Sequence, residues 1–431
     1  MHPTPDPTLL TVSIHGFATG GAAVGRVVGP EGAPQIGMAA FVPYAAPGET
    51  VTARIAKAWS RHLEMDLVDI GDASPDRVAP ACSSFGECGG CQLQHVSEEA
   101  QRRARRSMVV DALRTGGLAD CMDRVEETIA GPALGYRQRV TFHVDPDTGH
   151  VGYYRRRSHD LLVPERCPVV RPALETCFET PIELGPLAPC ERGDLSVEEG
   201  EHGVFAVLTL SHPLSAGRLR AVVAALAARF TGGAVRCPGR APFVYGETSV
   251  VRTVAGAETQ SAPGGFAQAN PAMNERLIAH VVGEADGART ACDLYAGSGN
   301  FTFPLAARGT AIVAVESDPE LVASGRAEAA RRSVAVRFHE ERVEKYVRRS
   351  PSPVDFLLAD PPRAGLDKAA SHLGFARRLV LISCHLPSAI RDLKALRADG
   401  WEIARIVPFD MFPQTGHVEI ATTLERSAPA I

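Results

Sequence analysis

From about Pro271 to its end the sequence alternates short apolar runs with helix-like stretches. The runs are "ACDLYA", "AIVAVE", "VAVRFH", "VDFLLAD", "LVLIS", "WEIARIVPFD" and "HVEIATTLE". Parallel neighbours need a crossover between them, and the crossover helices bury both faces of the sheet. Short runs rich in Val, Ile and Leu with helical segments between them are therefore the mark of a doubly wound parallel sheet. A Rossmann-like α/β domain is expected over 263–431. Any ligand should then lie at the carboxyl ends of its strands.

The beginning of the chain has a different grammar. "LTVSI", "AAVGRVV", "MAAFVP", "ETVTARIAKAW" and "HLEMDLVDI" are five β-rich runs separated by turns such as "GFATGG" and "PYAAPGE". Five short strands with glycine punctuation predict a small OB-like β-barrel over 1–73. Between the two lies a mixed α+β segment, 74–262. It opens with "PACSSFGECGGCQLQHV", followed by a helix from Ser97 to about Leu113 with "SEEA" as its cap. That helix is expected to pack on the catalytic domain. Further on, "RVTFHVDPDTGHVGYYRR" reads as strand, and residues 219–230 read as helix. The segment "TQSAPGGFAQANPAMN" reads as a boundary. A multidomain chain is in any case expected from 431 residues.

Composition narrows the class. With 45% hydrophobic and 22% charged residues the chain has material for sizeable cores, but no apolar run approaches the roughly 20 residues of a membrane span. The opening "MHPTPDPTLL" lacks the basic and apolar regions of a secretory signal, so a cytoplasmic protein is expected. Ten cysteines there should be thiols, metal ligands or catalytic groups, not a disulfide framework. The net charge of −5 carries no nucleic-acid signature. The local basic runs "RRARR" (102–106) and "YYRRRSH" (153–159) read as solvated faces unless neighbouring domains give them a partner.

Three strand ends carry chemistry. Asp293 closes the first strand of the α/β domain, and Gly297 and Gly299 sit in the turn beyond it, where small residues let backbone approach a ligand. Glu316 ends the next strand, placed to take the two hydroxyls of a ribose. Asp360 ends the fourth, ahead of a double proline. The fifth strand runs into Ser383 and Cys384, with helix-like sequence from Ser388. A thiol at a sheet edge ahead of a helix suits a nucleophile, since positive potential there favours the thiolate. Cys82, Cys88 and Cys91, spaced C-x5-C-x2-C, with Cys167 far downstream, suit either zinc or an iron–sulfur cluster by ligand count. Cys121, Cys177, Cys190, Cys237 and Cys292 read as partly buried packing thiols.

Residues 293–306, the "DPPRAG" run, Ser383 with Cys384, and the terminal "GHVE" together resemble the uracil-C5 RNA methyltransferases, and the resemblance covers essentially the whole chain. It implies S-adenosylmethionine as methyl donor, Cys384 as nucleophile on uracil C6, and Glu419 as the base that removes the C5 proton, with His417 a lower-ranked candidate. It also implies Gln268, Tyr295, Gly297, Asn300, Glu316 and Asp360 as donor contacts, and an N-terminal TRAM domain. In the cysteine segment it favours a [4Fe–4S] cluster held by Cys82, Cys88, Cys91 and Cys167. The substrate implied is 23S rRNA, presenting a flipped or single-stranded uridine. No membrane and no obligate protein partner are expected. A tRNA substrate, a non-catalytic RNA-binding protein and cytosine-C5 methylation are the alternatives. Two positions depart from the family pattern. His385 and Leu386 follow Cys384 where the family has Asn-Pro, and the histidine could help ionise the thiol. Arg342 stands near the third strand where the family often has Asn or Asp, and is left out of the expected site.

Overall fold

The computed structural model describes residues 8–187, 190, 192–349 and 351–426. They form two compact units, one of 1–130 with 407–419, the other of 131–406 with 420–431.

The first unit is built on a closed five-stranded barrel, β1 (Leu9–Phe17), β2 (Ala23–Gly29), β3 (Ala39–Val42), β4 (Thr50–Ala58) and β5 (His62–Asp72). Its strand order is β1-β2-β3-β5-β4, closed by pairing of β1 with β4. This is the expected OB-like arrangement, and period-2 patterning explains it. Leu10, Val12 and Ile14 of β1, with Val51 and Ala53 of β4, point inward and are buried, while their neighbours face out. Buried Glu49 fastens the chain leaving the barrel: it pairs with Arg77 at 2.5 Å and accepts the N–H groups of Ala46 and Ser74. The cysteine loop is held from the same side. The Phe85 ring meets Tyr44 edge-on at 5.2 Å, and His95 donates from Nε2 to the Ala45 carbonyl at 3.0 Å. Burial brings His95 down to about 4, so it is neutral. Helix α1 (Glu98–Thr115) follows, and Ser97 accepts the Ala100 N–H as its cap.

The second unit holds two seven-stranded sheets. The first comprises β6 (Arg139–Val144), β7 (Val151–Tyr154), β8 (Leu161–Leu162), β9 (Gly193–Gly200), β10 (Gly203–Leu210), β11 (Gly232–Arg236) and β12 (Phe243–Gly246), ordered β12-β11-β10-β9-β6-β7-β8. Helices α2 (Pro172–Glu179) and α3 (Ala216–Ala227) supply Leu174, Phe178, Val222 and Leu226 to a core shared with Leu195, Val197 and Leu208. Helix α3 starts three residues before the expected 219 because Ser215 caps it through the Arg218 N–H. A separate hairpin, β13 (Val250–Val254) with β14 (Ala257–Ser261), was not foreseen from the pattern.

The second sheet is the expected doubly wound one. Its strands are β15 (Thr290–Leu294), β16 (Ala311–Glu316), β17 (Val336–Glu340), β18 (Val354–Ala359), β19 (Ala376–Ser383), β20 (Glu402–Phe409) and β21 (Glu419–Glu425), in the order β17-β16-β15-β18-β19-β21-β20. Strands β15 to β19 pair in parallel, and β21 runs antiparallel to β19. Helices α4 (Pro271–Glu284), α5 (Thr302–Ala306), α6 (Pro319–Arg332), α7 (Val343–Val347) and α8 (Leu386–Ala398) cover it. Strand order reverses between β15 and β18, which opens a crevice at their carboxyl ends. Among the described residues no helix is long and apolar enough to cross a membrane.

Candidate active site

A cleft lies at that switch point, with about 1090 Å³ of empty space when the open solvent at its mouth is included. The turn after β15 forms one wall, with Tyr295, Gly297, Gly299 and Asn300; Asp360 after β18 and Gln268 from the loop before α4 are also in its lining. Five of the six residues expected to contact the donor are thus brought together. The glycines are required for different reasons. Gly297 has φ +57° with open space where a side chain would project, so its backbone faces the cleft bare. Gly299 has φ +107°, and a Cβ there would meet the Phe303 ring at 2.4 Å. Tyr295 also lies in the left-handed region, at φ +63°, and its buried hydroxyl finds no acceptor among the described residues.

Glu316 is the sixth, and it does not line the cleft. It faces the glycine turn: Oε2 accepts the Gly297 N–H at 3.1 Å, and Oε1 accepts those of Ser317 and Asp318 at 2.6 and 2.9 Å. The Ser317 hydroxyl also donates to Oε1, at 3.4 Å, so four donors address the roughly four lone-pair sites of this carboxylate. Asp293 sits behind the turn, 1% exposed, accepting the Thr302 hydroxyl at 2.5 Å on one oxygen. Burial pushes its carboxyl up to about 7, against the Thr302 bond and with repulsion from Asp360 and Glu316. Burial raises Asp360 to about 7 as well. Burial makes each of these acids costly to ionise, and a charge on Asp360 or Glu316 adds to that cost at Asp293.

Several supporting residues carried no local sequence signal. Asn274 of α4 exchanges two amide hydrogen bonds with Asn300, at 2.9 and 3.0 Å. Gln138 donates to the Gln268 carbonyl at 2.8 Å. Beneath the Gln268 loop, buried Glu198 pairs with Arg252 at 2.6 Å and accepts the Gly264 N–H at 2.6 Å, while Arg139 donates to the Gly265 carbonyl.

Cys384 leaves the carboxyl end of β19, half-buried, two residues before α8. The "DPPRAG" loop is stapled to that helix. The Ser388 hydroxyl donates to the Arg363 carbonyl at 2.7 Å, and buried Asp392 accepts the Leu366 N–H at 2.7 Å. Ser383 pairs with Ile420 of β21, and Glu419 is the first residue of that strand, with 6% of its surface exposed. His417 is exposed. Arg342 is also exposed, 3.4 Å from Glu344.

The cysteine loop looks different from the expectation. Cys82, Cys88, Cys91 and Cys167 are half-buried and outside any disulfide, yet among the described residues no three His, Cys, Asp or Glu side chains are gathered as a metal site. The donor chemistry is nevertheless suited to a thiolate-held centre. Cys88 Sγ accepts the Gly90 N–H at 3.4 Å, and a charge on Cys82 would be felt at Cys88. Burial raises the Cys88 thiol, and neutral thiols have no attraction that would gather them without a cation. Of the packing thiols, Cys121, Cys177, Cys190 and Cys292 are buried and Cys237 is half-buried.

The sequence matches the family described as tRNA (Uracil-5-)-methyltransferase over residues 253–427. It is 30% identical to the 23S rRNA (uracil(1939)-C(5))-methyltransferase RlmD of Salmonella choleraesuis, covering 97% of this chain and 96% of the relative. The RlmD of Yersinia enterocolitica is 31% identical, with 89% of each chain covered. In fold the chain is similar to the crystal structure of Pyrococcus abyssi tRNA (uracil-54, C5)-methyltransferase in complex with S-adenosyl-L-homocysteine. The TM-score is 0.69 at 19% identity, over 96% of this chain and 100% of that one. With its strand order, its switch-point cleft and a near full-length match at this identity, the chain belongs to the family of uracil-C5 RNA methyltransferases.

Proposed function

We propose that the chain transfers a methyl group from S-adenosylmethionine to C5 of a uridine in 23S rRNA, through a covalent adduct between Cys384 and C6. The observation that carries this reading is the strand-end register: Cys384 follows Ser383, and Ser383 pairs with Ile420, the residue after Glu419. Uracil C5 is too weak a nucleophile for the reaction unaided. The Cys384 thiolate adds to C6, and the electron pair of the C5–C6 double bond becomes available at C5. The bound donor supplies an electrophilic methyl; C5 takes it, and the S–CH3 bond breaks to leave S-adenosylhomocysteine. Glu419 then accepts the C5 proton, the double bond re-forms, and the thiolate leaves C6. Donor contacts would come from Gln268, Tyr295, Gly297, Asn300, Glu316 and Asp360, with the turn backbone at Gly297 close to the ligand.

The division of labour follows the expected segments: a TRAM-like barrel over 1–73, an RNA-orienting middle over 74–262, and the methyltransferase domain over 263–431. Cys82, Cys88, Cys91 and Cys167 would hold a [4Fe–4S] cluster with every iron ligated, a structural centre outside the methyl transfer. The cytoplasm is the compartment this substrate implies. A tRNA substrate is the second reading, favoured by the name of the matched family and by the fold likeness above.

The test is methyl transfer from labelled S-adenosylmethionine to total RNA of cells lacking the gene, followed by nucleoside analysis. Label in 5-methyluridine of the large ribosomal RNA is expected. Label in tRNA alone overturns the substrate, and unaffected turnover by Cys384→Ala overturns the mechanism. Glu419→Gln should accumulate the methylated protein–RNA adduct.

A further inference from the structure

The segment that delivers Glu419 folds with the first unit, residues 407–419 joining 1–130. One buried side chain of α1 grips its turn. Arg105, 0% exposed, makes a 2.9 Å ion pair with Asp410 and donates to the carbonyls of Phe412 at 3.3 Å and Thr415 at 3.1 Å. It also donates to the Gln101 carbonyl of its own helix at 3.0 Å. Four residues earlier, on the same helix face, Gln101 donates from Nε2 to Gln414 Oε1 at 2.9 Å and accepts the Gln414 N–H at 3.1 Å. From the opposite side the Gln414 carbonyl accepts the N–H groups of Gln92 and Leu93, at 2.9 and 3.0 Å. Gln414 itself is held at φ +68°. Further along, Gly20 donates to the Gly416 carbonyl at 3.1 Å. Only Val418 separates this fastened stretch from Glu419 once the His417 N–H bond to Thr415 Oγ1 is included.

We infer that Arg105 and Gln101 are positioning residues for proton abstraction, a clamp on 410–415 that sets where the Glu419 carboxylate stands over the C5 proton. This rests on the reading of Glu419 as the base. A buried ion pair adds little stability over apolar residues of the same volume, whereas a planar guanidinium addressing four acceptors, three of them on 410–415, fixes geometry through a rigid fork that lysine lacks. Displacement of a reacting group by about 1 Å can lower a rate about 100-fold. The step affected is the last one: the proton passes from C5 to the Glu419 carboxylate, the C5–H electrons form the C5=C6 bond, and the Cys384 sulfur departs with the C6–S pair. Thiolate addition and methyl transfer precede it and should be spared.

The experiment is a single-turnover reaction with the full chain, an RNA carrying the target uridine and methyl-labelled S-adenosylmethionine, quenched in detergent and resolved on a denaturing gel. The variants are Arg105→Met and Gln101→Met, with Glu419→Gln as reference and Arg114→Gln, an exposed arginine of the same helix, as control. If Arg105→Met fails to fold because Asp410 loses its partner, Arg105→Met with Asp410→Leu removes both charges together. The clamp predicts that label enters the adduct at near wild-type rate and leaves it at least tenfold more slowly, while donor affinity stays unchanged. A folded clamp variant that releases product as fast as Arg114→Gln, when Glu419→Gln traps adduct, overturns the clamp alone. A Glu419→Gln protein that traps no adduct overturns the base assignment, and the clamp with it.

Discussion

Donor binding should depend on pH in a direction that Asp360 and Asp293 determine. Both carboxyls are raised to about 7, Asp360 by burial, Asp293 by burial with repulsion from Asp360 and Glu316. A charge on Asp360 opposes ionisation of Asp293, and of the two acids Asp360 is the one that lines the cleft. S-adenosylmethionine carries a permanent sulfonium cation, which the ionised cleft binds and the protonated cleft does not favour. A group titrating near 7 is about 9% ionised at pH 6 and about 91% at pH 8. The dissociation constant of S-adenosylmethionine should therefore fall about tenfold between those values. S-adenosylhomocysteine, uncharged at sulfur, should change far less. Calorimetric titration of both ligands at pH 6, 7 and 8 decides it, and Asp360→Asn should flatten the S-adenosylmethionine curve. Parallel curves for the two ligands, or a full slope in Asp360→Asn, would refute the reasoning. Stability of the ligand-free chain should run the other way. The folded-state values lie above the ordinary carboxyl range near 4, so this contribution is present at low pH and is lost as pH rises from about 4 through about 7.

Other perturbations probe the supports of the site. Gly299→Ala combines a left-handed φ with a 2.4 Å approach to Phe303, so donor affinity should drop at least tenfold while the barrel unit's melting is untouched. Asp392→Leu leaves the buried Leu366 N–H without its acceptor, a loss of about 2–3 kcal/mol, read as a lower melting temperature; an unchanged melt would remove the staple from the argument. Glu198→Gln strands the buried Arg252 charge beneath the Gln268 loop, which is expected to cost about 3–5 kcal/mol. Its readouts are chemical denaturation and weakened donor binding.

What local sequence could reveal was whatever local periodicity encodes. All seven strands of the α/β sheet lie where the apolar runs predicted them, with ends differing by a few residues, and Ser97 caps α1 as expected. Helix α8 starts at Leu386, two residues before the expected Ser388, because Pro387 fits a first turn where its missing N–H is no loss. The supports of the site had no such signature. The bond between Gln101 and Gln414 spans 313 positions, and that between Gln138 and the Gln268 carbonyl spans 130. Neither residue type nor spacing announces such pairs. Arg105 is the sharpest instance. Within "RRARR" it reads as one more solvated arginine, and only the folded helix separates buried Arg105 from exposed Arg103. Glu316 shows a different limit: its strand-end place was legible, its rotation toward Gly297 was not.

The His385 departure can now be argued from its hydrogen bonds. Nδ1 lies 2.7 Å from Ser388 Oγ, and the single proton of that hydroxyl has two carbonyls to go to, that of Arg363 at 2.7 Å and that of His385 itself at 3.1 Å. The oxygen can then only accept from the imidazole, so Nδ1 bears the proton and the ring is committed to holding the "DPPRAG" loop. The lone pair then sits on Nε2, so a base role for the ring towards Cys384 would have to run through that atom. The amino end of α8, thirteen residues long and beginning two positions after the sulfur, favours the thiolate without calling on the ring. An asparagine at 385 keeps an N–H donor for the same hydroxyl. His385→Asn should therefore preserve the rate of adduct formation within about threefold, and the pH dependence of that rate should not move. His385→Leu, which cannot donate to Ser388, should slow it more. An adduct-formation rate that collapses in His385→Asn, with its pH profile displaced, would return the histidine to the role of base for the thiol.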